Sequence, residues 1–309
     1  MKTTLAGRPI WLILLAALGA SLLVVIIATF WMKPNDSFAY WLAASRLMDG
    51  DPIYVSGEDA FEPYAFHYIP AVAQVLAPFT LVVPDVIYIV VYRVLLILAL
   101  WLIVGRTMLA FLAAIAFIAL AVELGFENVH IFMAACIVLG LGRWPWLFAI
   151  GALVKISPGL GLVYLVAQRR WKDAFLASLM GLAIAFASFA LDPGLWEQWL
   201  AAISGRAGVT GNSLLPVPYA FRAVAGVALA FTGGIIGRRR GELLLVLAIT
   251  IANPNLALNG WAVLIAALPI WMAGPPGIAG QAEARRRAID ASSTVAAATN
   301  EPEPVLSLR

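Results

Sequence analysis

The stretch that decides the fold is PIWLILLAALGASLLVVIIATFWMKPNDSFAYWLAASRLMDGDPIY, residues 9–54. Residues 9–31 form an unbroken apolar run without a charge, which is long enough to cross a bilayer as a helix. A signal peptide has a shorter apolar core that ends at a small-residue cleavage site. We therefore interpret residues 9–31 as a retained first membrane helix. Lys2 and Arg8 precede it and place the N-terminus in the cytoplasm.

The polar half of this stretch predicts a short helix at the membrane surface. Asn, Asp and Ser, which occupy positions 35–37, are favoured N-cap residues, and Gly50 followed by Pro52 is a typical helix end. Asp36 has two compatible interpretations. It is a helix cap, or a carboxylate held at the membrane surface that accepts a proton from a hydroxyl. The helix dipole is expected to lower the pKa of Asp36 and keep it ionised.

The rest of the chain repeats the apolar runs. Of 309 residues, 63% are hydrophobic and 12% are charged, whereas a soluble domain carries about 25% charged residues. The runs are long and continuous rather than short and alternating, which favours helices over a β-barrel. We therefore predict an all-α, polytopic membrane protein with about ten transmembrane helices. The candidate spans are residues 9–31, 66–83, 86–104, 108–122, 128–142, 146–167, 174–191, 215–236, 242–256 and 258–273.

Three basic clusters predict the orientation of these helices. The clusters at 168–173, 237–242 and 284–287 are placed in the cytoplasm by the positive-inside rule. With ten spans, both termini are then cytoplasmic.

The same count places the loops. Residues 32–65 and 192–214 become extracytoplasmic, and their aromatic, helix-like patterns are typical of helices that lie in the membrane interface. The loop at 123–128 falls on the cytoplasmic side. We predict a membrane domain over residues 1–276 and a disordered cytoplasmic tail over 277–309.

Charged residues inside the apolar runs are candidates for function. Lys155 lies near the middle of its span, where a lysine costs about 2.5–3.5 kcal/mol. It is interpreted as a cation for a lipid phosphate, or alternatively as half of a structural ion pair with Glu123 or Glu127. Arg93 and Arg222 are similar candidates, although an arginine can also extend its head to the interface.

Polar clusters at the ends of apolar runs predict a hydrated cavity for a polyhydroxylated ligand. Such amides either join helices or line a cavity. His67, between two tyrosines, could bind a phosphate or sugar, or belong to the aromatic belt at the interface. The predicted substrate-binding residues are Tyr64, His67, Tyr68, Asn128, His130, Lys155, Asn212, Arg222, Asn255 and Asn259.

Six short motifs follow one another along the chain. They are NDSFAYWLAASRLMDGDPIY (35–54), PYAFHYIPAVAQVLAPF (63–79), ENVHIFMAACIVLGL (127–141), ALVKISPGLGLVYLVAQRRWKDA (152–174), GNSLLPVPYAFR (211–222) and NPNLALNGWAVLIAALP (253–269). Their order resembles that of the integral-membrane mannosyltransferases of glycosyltransferase family 87. Departures from the family pattern are Glu127 in place of Gln, His67 in place of Tyr, and Asn259 and Trp261 near the position of a late His.

The resemblance implies a GT-C fold and an inverting hexosyltransferase, which in this family transfers mannose from polyprenyl phosphate. Asp36 corresponds to the catalytic general base, and a cation such as Lys155, Arg93 or Arg222 stabilises the leaving phosphate. The acceptor is a glycolipid or glycan hydroxyl at the extracytoplasmic face of the plasma membrane, in glycolipid or cell-envelope biosynthesis. No cofactor is implied, and because Asp36 has no acidic neighbour the sequence does not demand a divalent metal.

Two other functions remain open at this point. One is a membrane transporter or flippase for a lipid-linked or polar solute, which paired broken helices and inverted repeats would favour. The other is an inactive paralogue that acts as an assembly partner.

Overall fold

The structure of the protein is a computed structural model. It describes residues 36–54, 64–105, 108–205 and 213–299, together with residues 4–5, 8–9 and seven residues between 15 and 26. Those seven are helical, and most of the predicted first span lies outside the described residues.

The described part of the chain is helical apart from a two-residue antiparallel strand pair, β1 (Thr4–Leu5) and β2 (Arg8–Pro9). Two 3₁₀ segments, Ser157–Gly159 and Leu258–Ala266, interrupt the helices. The helices are α1 (Asp36–Asp49), α2 (Pro70–Thr80), α3 (Asp85–Ile103), α4 (Met108–Ile115), α5 (Ile118–Phe126), α6 (His130–Gly142), α7 (Leu147–Val154), α8 (Leu160–Ala167), α9 (Trp171–Leu191), α10 (Pro193–Gly205), α11 (Tyr219–Ile236), α12 (Arg238–Ile251), α13 (Ala267–Met272) and α14 (Gly277–Thr299).

Three of the described helices, α3, α9 and α11, are long and apolar enough to cross a membrane. The number rises to five if two bent pairs, α5 with α6 and Leu258–Met272 with Gly277–Ile289, each count as one span. The apolar run at 146–167 is divided by the 3₁₀ turn around Pro158, because proline cannot continue the hydrogen-bond ladder of a helix. The protein is therefore a helical membrane protein, and the count of about ten spans stays a prediction.

The bend between α5 and α6 brings one predicted loop beside α1. The two helices meet at 114°, and Glu127 in the left-handed region (φ 57°) makes the turn between them. Side chains of Glu127 and Asn128 contact the head of α1. The loop at 123–128 therefore lies beside α1. The two predictions, α1 on the extracytoplasmic side and this loop on the cytoplasmic side, cannot both hold. One bent pair, which is either a broken span or a re-entrant loop, stands where two full spans were expected.

The buried centre of the described residues is formed around the 3₁₀ segment Leu258–Ala266, which packs on α5, α6 and α12. On one side, α11 and α12 form a tight hairpin through Gly237, whose φ of +58° favours glycine. Their backbones approach closely, since a Cβ on Gly241 would lie 2.0 Å from the Gly233 carbonyl oxygen. This hairpin fixes the end of α12 beside α6.

Both predicted interfacial loops contain the expected helices, α1 and α10, and both pack on α2. Gln74 of α2 donates from Nε2 to the Ser188 carbonyl (3.1 Å), while Trp196 of α10 donates to Ser188 Oγ (3.1 Å). α2 is thus the common support of the two loop helices.

The segment Gly277–Thr299 is helical, where the sequence led us to expect a disordered tail. It is rich in alanine, which has the highest helix propensity. Its first turn is fixed by Glu242 of α12, whose buried carboxylate accepts 2.8 Å hydrogen bonds from the backbone N–H groups of Ile278 and Ala279. Lack of an apolar period was therefore insufficient grounds for predicting disorder here.

Candidate functional site

The head of α1 is held by two adjacent residues of the α5–α6 turn. Asn128 Nδ2 donates to Asp36 Oδ2, and Ser37 Oγ donates to Glu127 Oε2. Ser37 and Glu127 are fully buried, while Asp36 is partly exposed. Because residues 36 and 37 are each bonded to a neighbour in the turn, the Asp36 carboxyl has a defined position and direction.

The carboxyl of Asp36 is shifted toward its neutral form. Burial raises its pKa from 3.8 to about 6, and the negative charge of Glu123 adds to the rise. The positive charge of Lys155 and the hydrogen bond from Asn128 act in the opposite direction. The expected lowering of this pKa is therefore wrong, since the loss of hydration outweighs the favourable contacts. A carboxylate with a pKa near neutrality is suited to accept a proton.

Arg93 of α3 reaches the same turn through an ion pair. Its Nε donates to Glu127 Oε1 at 2.6 Å, and its Nη2 contacts the same oxygen. The Glu127 side chain is fully buried, whereas that of Arg93 is one-third exposed. Glu127 was one of the two carboxylates predicted as a partner of Lys155. It binds Arg93 and Ser37 instead.

A second polar cluster starts at His130, the first residue of α6. Its Nδ1 lies 2.8 Å from Glu123 Oε2, and its backbone N–H donates to Glu123 Oε1 at 2.6 Å. Its Nε2 lies 2.9 Å from Lys155 Nζ and 3.0 Å from Asn253 Nδ2. Glu123, His130 and Asn253 are all at most 1% exposed. The cluster joins α5, α6, the α7–α8 break and the end of α12.

Lys155 lies in the break between α7 and α8. α7 ends at Val154, and Lys155 has extended dihedral angles (φ −140°, ψ 132°) before the 3₁₀ turn at Ser157–Gly159. The break turns the ammonium toward His130 and keeps it close enough to Asp36 for each charge to act on the other. Lys155 therefore connects the two polar clusters in one site.

Tyrosines line the wall next to Asp36. Tyr40 OH donates to Tyr68 OH, and Tyr54 OH donates to the Tyr68 carbonyl, both at 2.6 Å. Tyr68 is buried and packs edge-on against Tyr40, and Tyr92 adjoins Tyr40 at a ring distance of 5.8 Å. The buried Tyr92 hydroxyl has no protein partner among the described residues.

The two other aromatic-loop candidates are more peripheral. Tyr64 is half-buried and packs edge-on against Phe38 of α1, while His67 is exposed.

Arg222 is bound by the protein's own backbone. Its guanidinium donates to the carbonyls of Val217 (3.1 Å), Ile251 (3.2 Å), Asn253 (2.7 Å) and Pro254 (2.9 Å). It is 5% exposed. These bonds satisfy carbonyls at the end of α12, so Arg222 joins α11 to α12, and its geometry favours a structural role.

Only one of the predicted asparagines lies in the site. Asn128 is in the site, but Asn255 is exposed, Asn259 is half-buried, and Asn212 lies outside the described residues. The asparagine that reaches the site is Asn253, which stands in the same NPNLALN stretch and was not chosen. Its position directly before a proline at a helix end was the available signal.

Ser37, Glu123 and Glu127 complete the site. The sequence predicts Ser37 only as an N-cap residue, and it predicts Glu123 and Glu127 only as ion-pair partners of Lys155. The described residues contain no cluster of three His, Cys, Asp or Glu side chains that could hold a metal ion.

The comparisons with known proteins agree with the motif order. The model of glycosyltransferase family 87 matches residues 66–296, most of the chain. This range includes Arg93, Asn128, His130 and Lys155, and it begins after α1, which carries Asp36. No curated protein and no solved structure matches the chain. The family resemblance seen in the sequence is confirmed.

Proposed function

Because this chain belongs to glycosyltransferase family 87, we propose that it transfers a hexose from polyprenyl phosphate to an acceptor hydroxyl, with Asp36 as the general base. The proposed sugar is mannose, as the resemblance of the motifs implies. The proposed acceptor is a glycolipid or glycan at the extracytoplasmic face of the plasma membrane. Membership of a glycosyltransferase family favours this reaction over transport of a solute.

The observation that carries the proposal is the direction of the Asp36 carboxyl. It is bonded to Asn128 and lies within electrostatic range of Lys155, at the head of a helix that the sequence places on the membrane surface. A base for an acceptor hydroxyl and a cation for a phosphate are thereby adjacent. An inverting transfer needs these two groups.

The proposed step balances as a single displacement. Asp36 takes the proton of the acceptor hydroxyl, and the oxygen attacks the anomeric carbon of the donor sugar. The bond between that carbon and the phosphate oxygen breaks, and its electron pair leaves with polyprenyl phosphate. Lys155 stabilises the charge that builds on the leaving phosphate. Of the three cations considered, Arg93 is paired with Glu127 and Arg222 with backbone carbonyls, which favours Lys155 for this role.

The test is a comparison of sugar donors. Purified protein in proteoliposomes receives labelled mannose on polyprenyl phosphate or on a nucleotide, together with a membrane-lipid extract as acceptor. We expect product only from the lipid-linked donor, with the anomeric configuration inverted by NMR. Transfer from the nucleotide sugar, or retention of configuration, would overturn the proposal.

A further inference from the structure

The contacts of His130 determine which of its nitrogens carries hydrogen. Lys155 has an ammonium group, which donates hydrogen bonds and cannot accept them. It lies 2.9 Å from His130 Nε2, so Nε2 must present its lone pair. The ring hydrogen is then on Nδ1, where it is donated to Glu123 at 2.8 Å. The amide nitrogen of Asn253, 3.0 Å from Nε2, adds a second donor to the same lone pair.

We propose that Glu123 and His130 are positioning residues that hold the Lys155 ammonium toward the phosphate of the lipid-linked donor. This inference rests on the proposed function, and it assigns to His130 a role through Lys155 in place of direct contact with the substrate. Glu123 binds both the Nδ1–H and the backbone N–H of His130. The orientation and tautomer of the imidazole are thereby both fixed, as a carboxylate fixes a metal-bound histidine.

The arrangement leaves Lys155 available for a ligand. Of its three N–H donors, one is used by His130, and no further hydrogen bond to Lys155 is found among the described residues. Glu123 balances the ammonium charge through the ring and does not contact the ammonium directly. Two N–H groups of a half-buried cation therefore remain for phosphate oxygens.

Holding Lys155 also protects the base. Asp36 and Lys155 attract each other. The flexible four-carbon side chain of a lysine allows its ammonium group to reach a nearby carboxylate. A direct ion pair would lower the proton affinity of Asp36 and occupy the cation. A lone pair on His130 Nε2 retains the ammonium at a fixed point and leaves both groups free to act on the substrate.

The tautomer is tested directly by ¹⁵N NMR of histidine-labelled full-length protein in micelles. The chain has two histidines, so His67→Gln assigns the signals of His130. We expect a neutral ring with hydrogen on Nδ1 in the wild type. In Glu123→Gln the neutral amide oxygen is a weaker acceptor for Nδ1–H, while Lys155 and Asn253 still donate to Nε2. Hydrogen should therefore stay on Nδ1, with a weaker Nδ1–H hydrogen bond. A ring with hydrogen on Nε2, or a doubly protonated ring in the wild type, would overturn the inference.

The positioning role is tested by binding of polyprenyl phosphate that carries no sugar. The oxygen of Gln reaches the place of Nε2, whereas the amide of Asn reaches only that of Nδ1. His130→Gln should therefore bind within about threefold of the wild type, while His130→Asn and Lys155→Met lose about tenfold or more, the scale of a hydrogen bond to a charged group. Circular dichroism confirms that each variant is folded.

Each outcome separates the two hypotheses. If wild type binds and His130→Asn binds equally well, the positioning role is wrong and the proposed function stands. If the wild type itself binds polyprenyl phosphate no better than Lys155→Met, the phosphate site fails and the proposed function fails with it.

Discussion

At the scale of single residues, Asp36 is subject to opposing effects. A helix N-terminus, Asn128 and Lys155 all favour its ionised form, while burial and Glu123 favour its neutral form. Sequence patterns reveal the helix end and so indicate a lowered pKa. They contain no measure of how deeply the carboxyl is covered, and burial is the largest effect.

The raised pKa predicts the pH dependence of transfer. A general base must be ionised, so the rate should fall about tenfold per pH unit below the pKa of Asp36, which is raised to about 6. Lys155 lowers this pKa, so Lys155→Met should move the acid limb of its residual activity to higher pH. The measurement is the transfer rate across roughly pH 4 to 8, in steps of about half a pH unit. A limb near 3.8, the unshifted value, would contradict the account.

The same scale explains which residues the sequence identified. Lys155 was identified because it is charged inside an apolar run, and Asn128 and His130 because they stand at the head of one. Asp36 was identified because it follows the first apolar run at a helix start and matches the family motif. Asn253 differs from its two neighbouring asparagines by standing directly before a proline, which marks a helix end. That signal does not show that it faces His130, which only the fold decides.

At the scale of elements, the break that holds Lys155 depends on close packing. The Phe148 ring of α7 lies between α6 and α8, where glycines face it. A Cβ on Gly161 would lie 2.1 Å from one ring carbon and 2.2 Å from another, and one on Gly140 would lie 3.0 Å away. These glycines let α7 and α8 fold back on each other across the break.

Substitution of Gly161 should therefore disturb the break. We expect Gly161→Ala to lower stability by about 1–3 kcal/mol, because the new methyl group overlaps the Phe148 ring. Gly159→Ala is the matched control, since its Cβ would meet Ala152 at an ordinary 3.4 Å. Thermal unfolding in detergent compares the two. Equal melting temperatures would indicate that α7 and α8 are not packed in this way.

The attachment of α14 gives a second prediction for an element. The buried carboxylate of Glu242 binds the first turn of α14, and its removal leaves these N–H groups without their partner. We expect Glu242→Ala to release the helix and raise the rate of trypsin cleavage at the arginines of 285–287 by about tenfold.

Glu283→Ala is the control for this experiment. Glu283 forms an exposed ion pair with Arg287 on the same helix, and an exposed pair contributes little to stability. Equal cleavage rates for the two variants would contradict attachment through Glu242. The sequence places a glutamate beside a basic cluster, but it does not reveal that the glutamate is buried or which helix it binds.

At the scale of the whole molecule, the site is assembled from segments far apart in the chain. Local patterns predicted the helical membrane character, the two loop helices and the motif order. They did not predict the bend between α5 and α6, because hydropathy cannot distinguish two spans from one bent pair when the apolar runs are short. The placement of that loop beside α1 follows from Asn128 and Glu127, whose partners are about ninety residues away.

The orientation of the molecule leads to a labelling prediction. Cys136 is the single cysteine, so Cys136→Ala provides a background without thiols. In intact cells, an impermeant thiol reagent should label Asp49→Cys of α1 and leave Lys172→Cys of the basic cluster unlabelled. Both positions are exposed. Labelling of Lys172→Cys alone would place α1 in the cytoplasm and contradict the proposed location of the reaction.

The most direct test of the central claim is mannose transfer from polyprenyl phosphate by the wild type, Asp36→Asn and Asp49→Asn. Asp49 is the matched control, since it is an exposed carboxylate at the other end of α1. Because the pKa of Asp36 is raised, its ionisation opposes folding as pH increases from 3.8 through about 6, so Asp36→Asn should not lower the melting temperature. The account predicts that only Asp36→Asn loses transfer, by about a hundredfold or more. Undiminished transfer by folded Asp36→Asn would contradict it.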